Sequence, residues 1–369
     1  MKSIFDAALA TVMAERVAAH HPDFDAARFV AAVVADLPGL ELKARVQRLA
    51  DGLREHLPAD FPAALAILLA SMGADDGTGG IEGEGYDGFR HWPFLDFVGR
   101  YGLDHPVLAL DALERMTLYF SAEFAIRPYI LNHPELTLQR MGQWTRHPDW
   151  RVRRLASEGS RPRLPWGMRL SPFIADPSLG LAIIEPLCVD PHPVVRRSVA
   201  NHLNDVAKDH PVRAVETARR WQANGDAGTR WIVGHGLRTL IKQGDPGALA
   251  LMGFAAGGQP PTVTLFRLER ERIVLGESLD FRVDLSCLEA GRLSIDYVVH
   301  HQRQRGTLSP KVFKWVCREV ASGQILHLEK RHPIRPITTR RYYPGSHRVE
   351  VVVNGVVVCG AGFELVMPE

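Results

Sequence analysis

The first two thirds of the chain carry apolar side chains at helical spacing. The stripes are Phe5, Leu9, Val12, Met13 and Val17, then Phe29, Val30, Val33 and Val34, then Leu42, Val46, Leu49 and Leu53, and a fourth runs from Pro62 to Met72. Side chains three and four residues apart lie on one face of a helix, so each stripe predicts a helix with one buried face. Asp25 is placed to cap the second helix, and Pro38-Gly39 to end it. The segment from Gly73 to Gly88 is rich in Gly, Asp and Glu and predicts a long loop.

Farther along, short motifs recur at regular spacing. Arg151-Val-Arg-Arg154 is echoed 43 residues later by Val194-Val-Arg-Arg197, and each motif follows a proline-containing turn. Val199-Ala-Asn-His-Leu203 is echoed after 34 residues by Val233-Gly-His-Gly-Leu237. A period of about 35 to 45 residues is typical of HEAT-type helical repeats. Because one repeat cannot bury its apolar face alone, the repeats stack into a curved array with a concave surface.

The period changes to two after the linker Gly257-Gly-Gln-Pro-Pro261. Leu279, Phe281, Val283 and Leu285 alternate with polar residues, and further strands are predicted at Leu293–Val299, Val312–Val316, Gln324–Leu328, Val349–Val353 and Val356–Val358. Asn354-Gly355 predicts a two-residue hairpin turn. About seven strands in roughly 108 residues indicate an immunoglobulin-like sandwich without the antibody-type cysteines. We therefore predict a multidomain chain, with an all-α HEAT-like solenoid over residues 1–257 and an all-β immunoglobulin-like sandwich over residues 262–369.

Charge is concentrated locally although the whole chain is nearly neutral. The formal net charge of the 369 residues is +2. Residues 300–348 hold 11 basic side chains against two acidic ones, and residues 121–170 hold nine arginines against four acids. Two such zones indicate contact with a polyanion. The alternative is ordinary solvated surface charge.

Several functional classes lack their motifs. The four cysteines have no CxxC spacing, which argues against a zinc site and a disulfide framework, so we expect no metal and no cofactor. No signal peptide or membrane-length apolar run is present, and we expect a soluble cytoplasmic protein associated with the nucleoid. No nucleophile-elbow, phosphate-loop, HExxH or dinucleotide motif occurs.

Three acidic residues recur at repeat spacing among these arginines. Glu123 precedes Arg127-Pro128, Glu158 precedes Arg161-Pro162 at 35 residues' distance, and Asp205 falls in the next repeat. Carboxylates in a groove for DNA repel ordinary phosphates, so with Trp166 they favour a cationic target such as an alkylated base. The alternative is structural: Glu158 pairs with Arg154 or Arg161, Asp205 pairs with Lys208 or Arg197, and Trp166 packs in the core.

Three longer stretches resemble a known family. Phe120–Ile130, Leu155–Trp166 and Ser198–Asp205 are similar to the AlkC class of DNA glycosylases, within the AlkD/AlkC superfamily of HEAT-like repeat enzymes. Glu41–Arg45 and Leu57–Leu65 also resemble that class, and one of its subgroups carries a C-terminal immunoglobulin-like domain. The resemblance implies excision of cationic 3-methyladenine and 3-methylcytosine from double-stranded DNA, with bending of the duplex instead of base flipping.

The resemblance also implies roles for individual residues. Glu123, Glu158 and Trp166 would contact the lesion and stabilise developing positive charge, and Asp205 would position the attacking water. We expect DNA contacts from Arg127, Arg154, Arg161, Arg163, Arg197, Asn201 and Lys208 in the helical region, and from His301, Arg303, Arg305, Lys311 and Lys314 in the β-region. Alkylated duplex DNA is the expected partner, and we expect a monomer that contacts no membrane.

Two other functions fit the residues. A helical solenoid can bind damaged DNA without catalysis, and HEAT arrays commonly act as protein scaffolds. DNA binding that weakens steeply with salt distinguishes the first two functions from a scaffold. Release of a free base distinguishes an enzyme from a non-catalytic damage-binding protein.

Overall fold

The computed structural model describes residues 2–73, 87–254, 259–338 and 340–368. Its helices are α1 (Ala7–Ala18), α2 (Ala26–Asp36), α3 (Leu42–His56), α4 (Phe61–Ser71), α5 (Trp92–Tyr101), α6 (Pro106–Met116), α7 (Arg127–Asn132), α8 (Pro134–Trp144), α9 (Trp150–Gly159), α10 (Ser171–Ala175), α11 (Ser178–Ile184), α12 (Pro193–Asp209), α13 (Pro211–Asn224), α14 (Ala227–Gly236), α15 (Arg238–Gln243) and α16 (Pro246–Leu251). Short 3₁₀ turns span Lys2–Ile4, Asp87–His91 and Glu185–Val189. Most of the loop predicted from Gly73 to Gly88 lies outside the described residues, and its end belongs to the second of these turns.

The four helices predicted near the N-terminus are confirmed as α1 to α4. Asp25 accepts a hydrogen bond from the Arg28 main-chain N–H, as the capping prediction requires. The prediction that Val12 lies on the buried face of α1 was wrong. Val12 is 40% exposed, whereas Ala10 and Ala14 are buried beside Met13. The buried face of α1 therefore includes two small alanines, which allow close packing of neighbouring helices, in addition to Met13 and Val17.

The predicted repeat is confirmed by a recurring hydrogen-bond pattern. Arg153 Nη1 donates to the carbonyl oxygens of His147 and Pro148, and Arg196 Nη1 donates to those of Asp190 and Pro191. Arg230 donates to the Gly225 carbonyl five residues before it. These arginines are separated by the 43 and 34 residues of the sequence motifs. In each repeat the arginine therefore ties a helix to the turn that precedes it, and α9 packs on α12, which packs on α14.

Within the described residues, eight strands follow the helices, whereas about seven were predicted. They are β1 (Thr262–Leu268), β2 (Arg272–Val274), β3 (Ser278–Ser286), β4 (Gly291–Gln302), β5 (Leu308–Val320), β6 (Ile325–Pro333), β7 (Gly345–Val353) and β8 (Val356–Val366). One sheet has the order β1-β3-β6 and the other β2-β8-β7-β4-β5. Leu279, Phe281, Val283 and Leu285 are buried, as the alternation predicts. Asn354 and Gly355, both at positive φ, form the predicted hairpin turn.

The chain divides into two compact units. The first runs to Ala214 and includes Arg220–Gly236, and the second comprises Val215–Arg219 and the chain from Leu237 onwards. Strand β1 begins at Thr262, directly after the predicted linker, but the second unit also includes α15 and α16. We retain residues 1–257 and 262–369 as proposed domains. In the described part of the chain, no helix has the length and apolar character needed to span a membrane.

Candidate active site

A cavity of about 440 Å³ lies in the first unit. It is lined by Gly88, Phe89, Tyr119, Phe120, Ser121, Glu123, Phe124, Arg154, Glu158, Arg161, Leu164, Pro165 and Trp166. These residues come from the 3₁₀ turn before α5, the connection between α6 and α7, the helix α9 and the segment that follows it. The cavity is therefore lined by Trp166 and by two of the three predicted carboxylates, Glu123 and Glu158. The volume falls within the range of small-molecule binding sites.

Arg154 joins the two acidic residues of the cavity. Its Nη1 lies 2.8 Å from Glu123 Oε2, and its Nη2 lies 3.9 Å from Glu158 Oε1. The hydroxyl of Ser121 donates a second hydrogen bond to Glu123 Oε2, at 2.7 Å. The positive charge of Arg154 therefore offsets part of the negative charge of both carboxylates.

Glu158 lies deepest of the lining carboxylates. It is 6% exposed, its Oε1 accepts a 2.6 Å hydrogen bond from Arg161 Nη1, and its Oε2 accepts one of 2.6 Å from the Ser198 hydroxyl. Burial alone would raise the pKa of Glu158, but Arg154, Arg161 and the Ser198 hydroxyl together hold it below the usual value. The side chain is therefore an ionised carboxylate held in fixed orientation.

Asp205 lies behind this wall, next to Arg161. It is 1% exposed, with Oδ2 3.0 Å from Arg161 Nε and Oδ1 3.0 Å from Lys208 Nζ. Both oxygens are engaged by cations and the residue is not among those that line the cavity, and its assignment to the attacking water stays a prediction. The geometry places it as the support of Arg161, which in turn contacts Glu158.

Trp166 is exposed, contrary to the alternative that it packs in the core. Its exposed fraction is 55%, and its backbone has a φ of +63°. It is the third residue of the turn Leu164–Gly167, which is closed by a 3.1 Å hydrogen bond from the Gly167 N–H to the Leu164 carbonyl. Glycine is the usual residue at positive φ in such turns. A strained conformation that presents a large aromatic ring to solvent is typical of functional sites.

An aromatic wall faces the cavity and was not predicted. Phe120 packs against Phe89 at a centroid distance of 5.0 Å, and Trp92 stacks under Phe120 and Phe124 at 5.6 and 5.1 Å. Phe120 and Phe124 flank Glu123 in the sequence, which is the only local signal for this wall. Together with the carboxylates, the aromatic rings suit a flat ligand that carries positive charge.

The basic stretch at residues 121–170 is mostly neutralised within the protein. Seven of its nine arginines form ion pairs or donate to main-chain carbonyls, namely Arg127, Arg140, Arg151, Arg153, Arg154, Arg161 and Arg163. Arg127 is fully buried and donates to the carbonyls of Gly159, Arg161 and Met168. Its assignment as a DNA contact was wrong, because no phosphate can reach it in this conformation.

The remaining helical candidates differ in accessibility. Arg154 and Arg161 line the cavity, but the carboxylates occupy their guanidinium groups. Arg163 pairs with Asp209 at 2.7 Å and Lys208 pairs with Asp205. Arg197 is exposed and Asn201 is half-buried, both on α12. Arg197, Asn201, Arg163 and Lys208 therefore stay candidates for DNA contact.

The β-region candidates lie mainly on one hairpin. Arg303 and Arg305 are exposed in the turn between β4 and β5, and Lys311 and Lys314 are exposed on β5, the edge strand of the larger sheet. Lys314 lies 3.4 Å from Asp296, which offsets part of its charge. His301 is 4% exposed and accepts a hydrogen bond from Arg340 at 2.6 Å. Burial and the Arg340 charge lower the pKa of His301 to about 3, so its assignment as a phosphate contact was wrong.

The side chains that line the cavity define what chemistry they can support. Among the described residues, no group of three or more His, Cys, Asp or Glu is arranged to hold a metal ion. The lining offers two carboxylates, two guanidinium groups and aromatic faces. Such a set can stabilise a cation and orient a water molecule.

Known proteins share this architecture over its whole length. The family model described as "Uncharacterised protein YhaZ, C-terminal Ig-like domain" matches residues 262–367. The protein YhaZ of Bacillus subtilis (strain 168) is 35% identical over 368 residues, which is 99% of both chains. The alkylpurine DNA glycosylase AlkC of Pseudomonas fluorescens, in a structure with DNA containing an abasic site analog, is 36% identical and matches 99% of both chains with a TM-score of 0.89. This chain belongs to the AlkC family. The AlkC likeness confirms the predicted fold class, helical repeats followed by an immunoglobulin-like domain.

Proposed function

We propose that this member of the AlkC family hydrolyses the N-glycosidic bond of cationic N3-alkylated bases, 3-methyladenine and 3-methylcytosine, in double-stranded DNA for base excision repair. The observation that carries the proposal is the pair Glu123 and Glu158, held beside Arg154 on the wall of an aromatic-lined cavity. The name of the Pseudomonas relative, an alkylpurine DNA glycosylase bound to DNA, supports the reaction class. The choice of N3-methyl lesions follows the family resemblance, and the carboxylates of the cavity suit the positive charge of these bases.

The chemistry needs little acid catalysis. The alkylated base already carries a positive charge, so the glycosidic bond breaks with its electron pair moving to the base, which leaves neutral. Positive charge then develops on the sugar, where Glu123 and Glu158 stabilise it electrostatically and Trp166 offers a π-face. Water adds to the sugar carbon and loses a proton, which leaves a free base and an abasic site. The enzyme is monofunctional in this proposal, because no lysine is among the described residues that line the cavity.

The burial and contacts of each carboxylate support a separate role for it in this proposal. Glu158 and Glu123 line the cavity and act on the lesion nucleotide, and either carboxylate can accept a hydrogen bond from the attacking water. Asp205 acts through Arg161, which it holds against Glu158. Trp166, exposed at the edge of the cavity, contacts the DNA.

DNA binding is assigned to the accessible polar side chains. In the first unit these are Arg163, Arg197, Asn201 and Lys208, and in the second they are Arg303, Arg305, Lys311 and Lys314. Each phosphate contact releases counterions, so binding should weaken as salt rises, by about 0.9 log units per phosphate for a tenfold change. We propose that a monomer binds one damaged duplex.

We further propose that the lesion stays in the duplex. Trp166 lies exposed at the rim, whereas Glu158 and Arg161 lie buried at the base of the cavity. A base held in the duplex leaves room for substituents to extend away from the protein. Excision rates that are similar for N3-methyl and much bulkier N3-alkyl adducts would support this arrangement, whereas abolished excision of bulky adducts would indicate a closed base pocket.

The decisive experiment is the release of free bases from duplex DNA treated with a simple methylating agent, read by chromatography. We expect 3-methyladenine and 3-methylcytosine in the soluble fraction and 7-methylguanine mostly retained in the DNA. Glu158→Gln serves as the inactive control. If the wild-type protein releases nothing but binds the same DNA in a salt-dependent way, the protein is a damage-binding solenoid and the carboxylates are structural.

A further inference from the structure

A segment without helix or strand carries a large share of the cavity wall. Residues 160–170, here called the Trp166 segment, connect α9 to α10 and contain Arg161, Leu164, Pro165 and Trp166. Within the segment, the Gly167 N–H donates to the Leu164 carbonyl and the Leu170 N–H donates to the Pro162 carbonyl. Because the segment has few hydrogen bonds of its own, its conformation depends mainly on contacts with other parts of the chain.

Arg127 binds main-chain carbonyls in the segment and at the end of α9. Its Nη1 donates to the Gly159 carbonyl at 2.8 Å, its Nη2 to the Arg161 carbonyl at 2.9 Å, and its Nε to the Met168 carbonyl at 2.5 Å. The side chain is fully buried, and burial together with the Arg161 charge lowers its pKa to about 10, so it stays protonated at neutral pH. Three carbonyls spread over ten residues thus converge on one planar group, a geometry that lysine cannot reproduce.

Lys43 binds the same segment at the turn that contains Trp166. Its ammonium group, on α3 and 123 residues away in the sequence, donates to the main-chain carbonyl of Trp166. The same nitrogen lies 6.0 Å from the centre of the Phe124 ring, which lines the cavity. Lys43 therefore contacts the one non-glycine residue of the described helical region that has a positive φ.

The conformation of Trp166 needs such support. A left-handed backbone is unfavourable for a non-glycine residue, so an unsupported turn relaxes toward other conformations. Relaxation would carry the indole and the neighbouring Arg161 away from the cavity. Both cations bind carbonyl oxygens of the observed conformation, which favours it over the alternatives.

We propose that Arg127 and Lys43 are positioning residues, which hold the Trp166 segment in the conformation that completes the cavity. Neither is a catalytic residue, since both act through main-chain carbonyls. The inference rests on the proposed function for its effect on excision, but the order of the segment can be measured without any activity.

The first experiment measures that order by hydrogen–deuterium exchange of the full chain. In Lys43→Met and Arg127→Gln, we expect the amides of Gly167 and Leu170 to exchange at least about tenfold faster than in the wild type, because their protection depends on local opening. Arg54→Gln is the matched control, since Arg54 donates to the carbonyls of Pro58 and Ala59 and does not line the cavity. Unchanged exchange of the segment in Lys43→Met would overturn the proposal for Lys43, and the same result in a folded Arg127→Gln would overturn it for Arg127.

The second experiment separates positioning from a direct DNA contact. Lys43→Met should lower the single-turnover excision rate about tenfold, and a folded Arg127→Gln about 100-fold, as expected when a group that contacts substrate is displaced by about 1 Å. In a Trp166→Ala background, Lys43→Met should lower the rate no further, because the two changes act on the same contact. A full additional loss in that background would mean that Lys43 acts on its own, for example on a phosphate.

The two proposals fail in different ways. If the wild-type chain excises no base, the proposed function fails, and the exchange experiment still decides whether the cations order the segment. If the wild type is active but neither variant alters exchange or rate, the inference fails while the function stands. Should Arg127→Gln not fold, Lys43→Met, altered at an exposed side chain, still tests the role of Lys43.

Discussion

Glu123 and Glu158 stand 35 residues apart in the chain and share one arginine. Arg154 Nη1 lies 2.8 Å from the first carboxylate and its Nη2 lies 3.9 Å from the second. Two carboxylates in one cavity repel each other. Arg154 and Arg161 offset this repulsion through their ion pairs, and the carboxylates give the cavity the negative charge that a cationic substrate requires.

The first prediction concerns Glu158. Replacement by Gln removes the charge but keeps the shape and the possible hydrogen bond with Ser198. We expect single-turnover excision to fall about 100- to 1000-fold, the scale for losing one preorganised charged group at a transition state. DNA binding should be retained, because the carboxylate repels phosphate. Single-turnover kinetics and a binding titration on the same methylated duplex measure both effects.

A matched control for this change is Glu135→Gln. Glu135 is an exposed residue in the first turn of α8 and does not line the cavity. Its replacement should leave excision unchanged. If Glu158→Gln excises 3-methyladenine at the wild-type rate, Glu158 belongs to the structural ion pairs only.

The second prediction concerns Asp205→Asn. Because Asp205 supports Arg161 from behind, we expect a loss of about tenfold in excision, smaller than for Glu158→Gln. If Asp205 positioned the water directly, the loss would equal that of Glu158→Gln. Asp111→Asn, which weakens the exposed pair with Arg140, should not change the rate. Single-turnover rates at saturating protein separate these outcomes.

The third prediction concerns Asp96 on α5. Its carboxyl is largely buried, its Oδ2 has no hydrogen-bond partner among the residues that the structure describes, and Arg100 Nη1 lies 3.8 Å away. Burial raises the pKa of Asp96 to about 6 against the opposing charge of Arg100. The folded state therefore binds this proton more tightly than the unfolded state does. Its contribution to the free energy of unfolding falls as the pH rises from about 4 to about 6 and is constant above that range.

Asp96→Asn should remove this pH dependence. We expect the free energy of unfolding at a pH of about 7.5 to rise by roughly 1–3 kcal/mol, with little change at a pH of about 4. Urea denaturation at both pH values measures the difference. The exposed Asp104→Asn is the control, and an equal effect of Asp96→Asn at both pH values would contradict the prediction.

The fourth prediction concerns the hairpin between β4 and β5. Replacing Arg303, Arg305 and Lys311 together by Ala should weaken binding to any duplex and reduce the salt slope by about 0.9 for each phosphate that these side chains no longer neutralise. Arg282→Ala is the control, because Arg282 lies on the smaller sheet and is paired with Glu269 at 2.7 Å. Binding titrations over a range of salt give the slope. An unchanged slope in the triple variant would exclude this hairpin from the DNA interface.

The sequence by itself determined the elements and the repeat. Helical and strand periodicity depend on neighbours within a few residues, so α1 to α4, the alternation of β3 and the Asn354-Gly355 turn could be predicted locally. The 43-residue spacing likewise predicted which arginines occupy equivalent positions in two repeats, and the 34-residue spacing predicted the next repeat. Because equivalent positions of adjacent repeats face the same side, the pairing of Glu123 with Glu158 followed as well.

Only the tertiary structure determined which charged side chains are accessible to DNA. Arg127 and His301 have the sequence character of DNA contacts, yet both are buried. Asp205 is neutralised by Arg161, 44 residues before it, and Trp166 is held by Lys43, 123 residues before it. Desolvation and long-range ion pairing set the charge state and reach of a side chain, and both depend on residues that the fold brings together from distant parts of the chain.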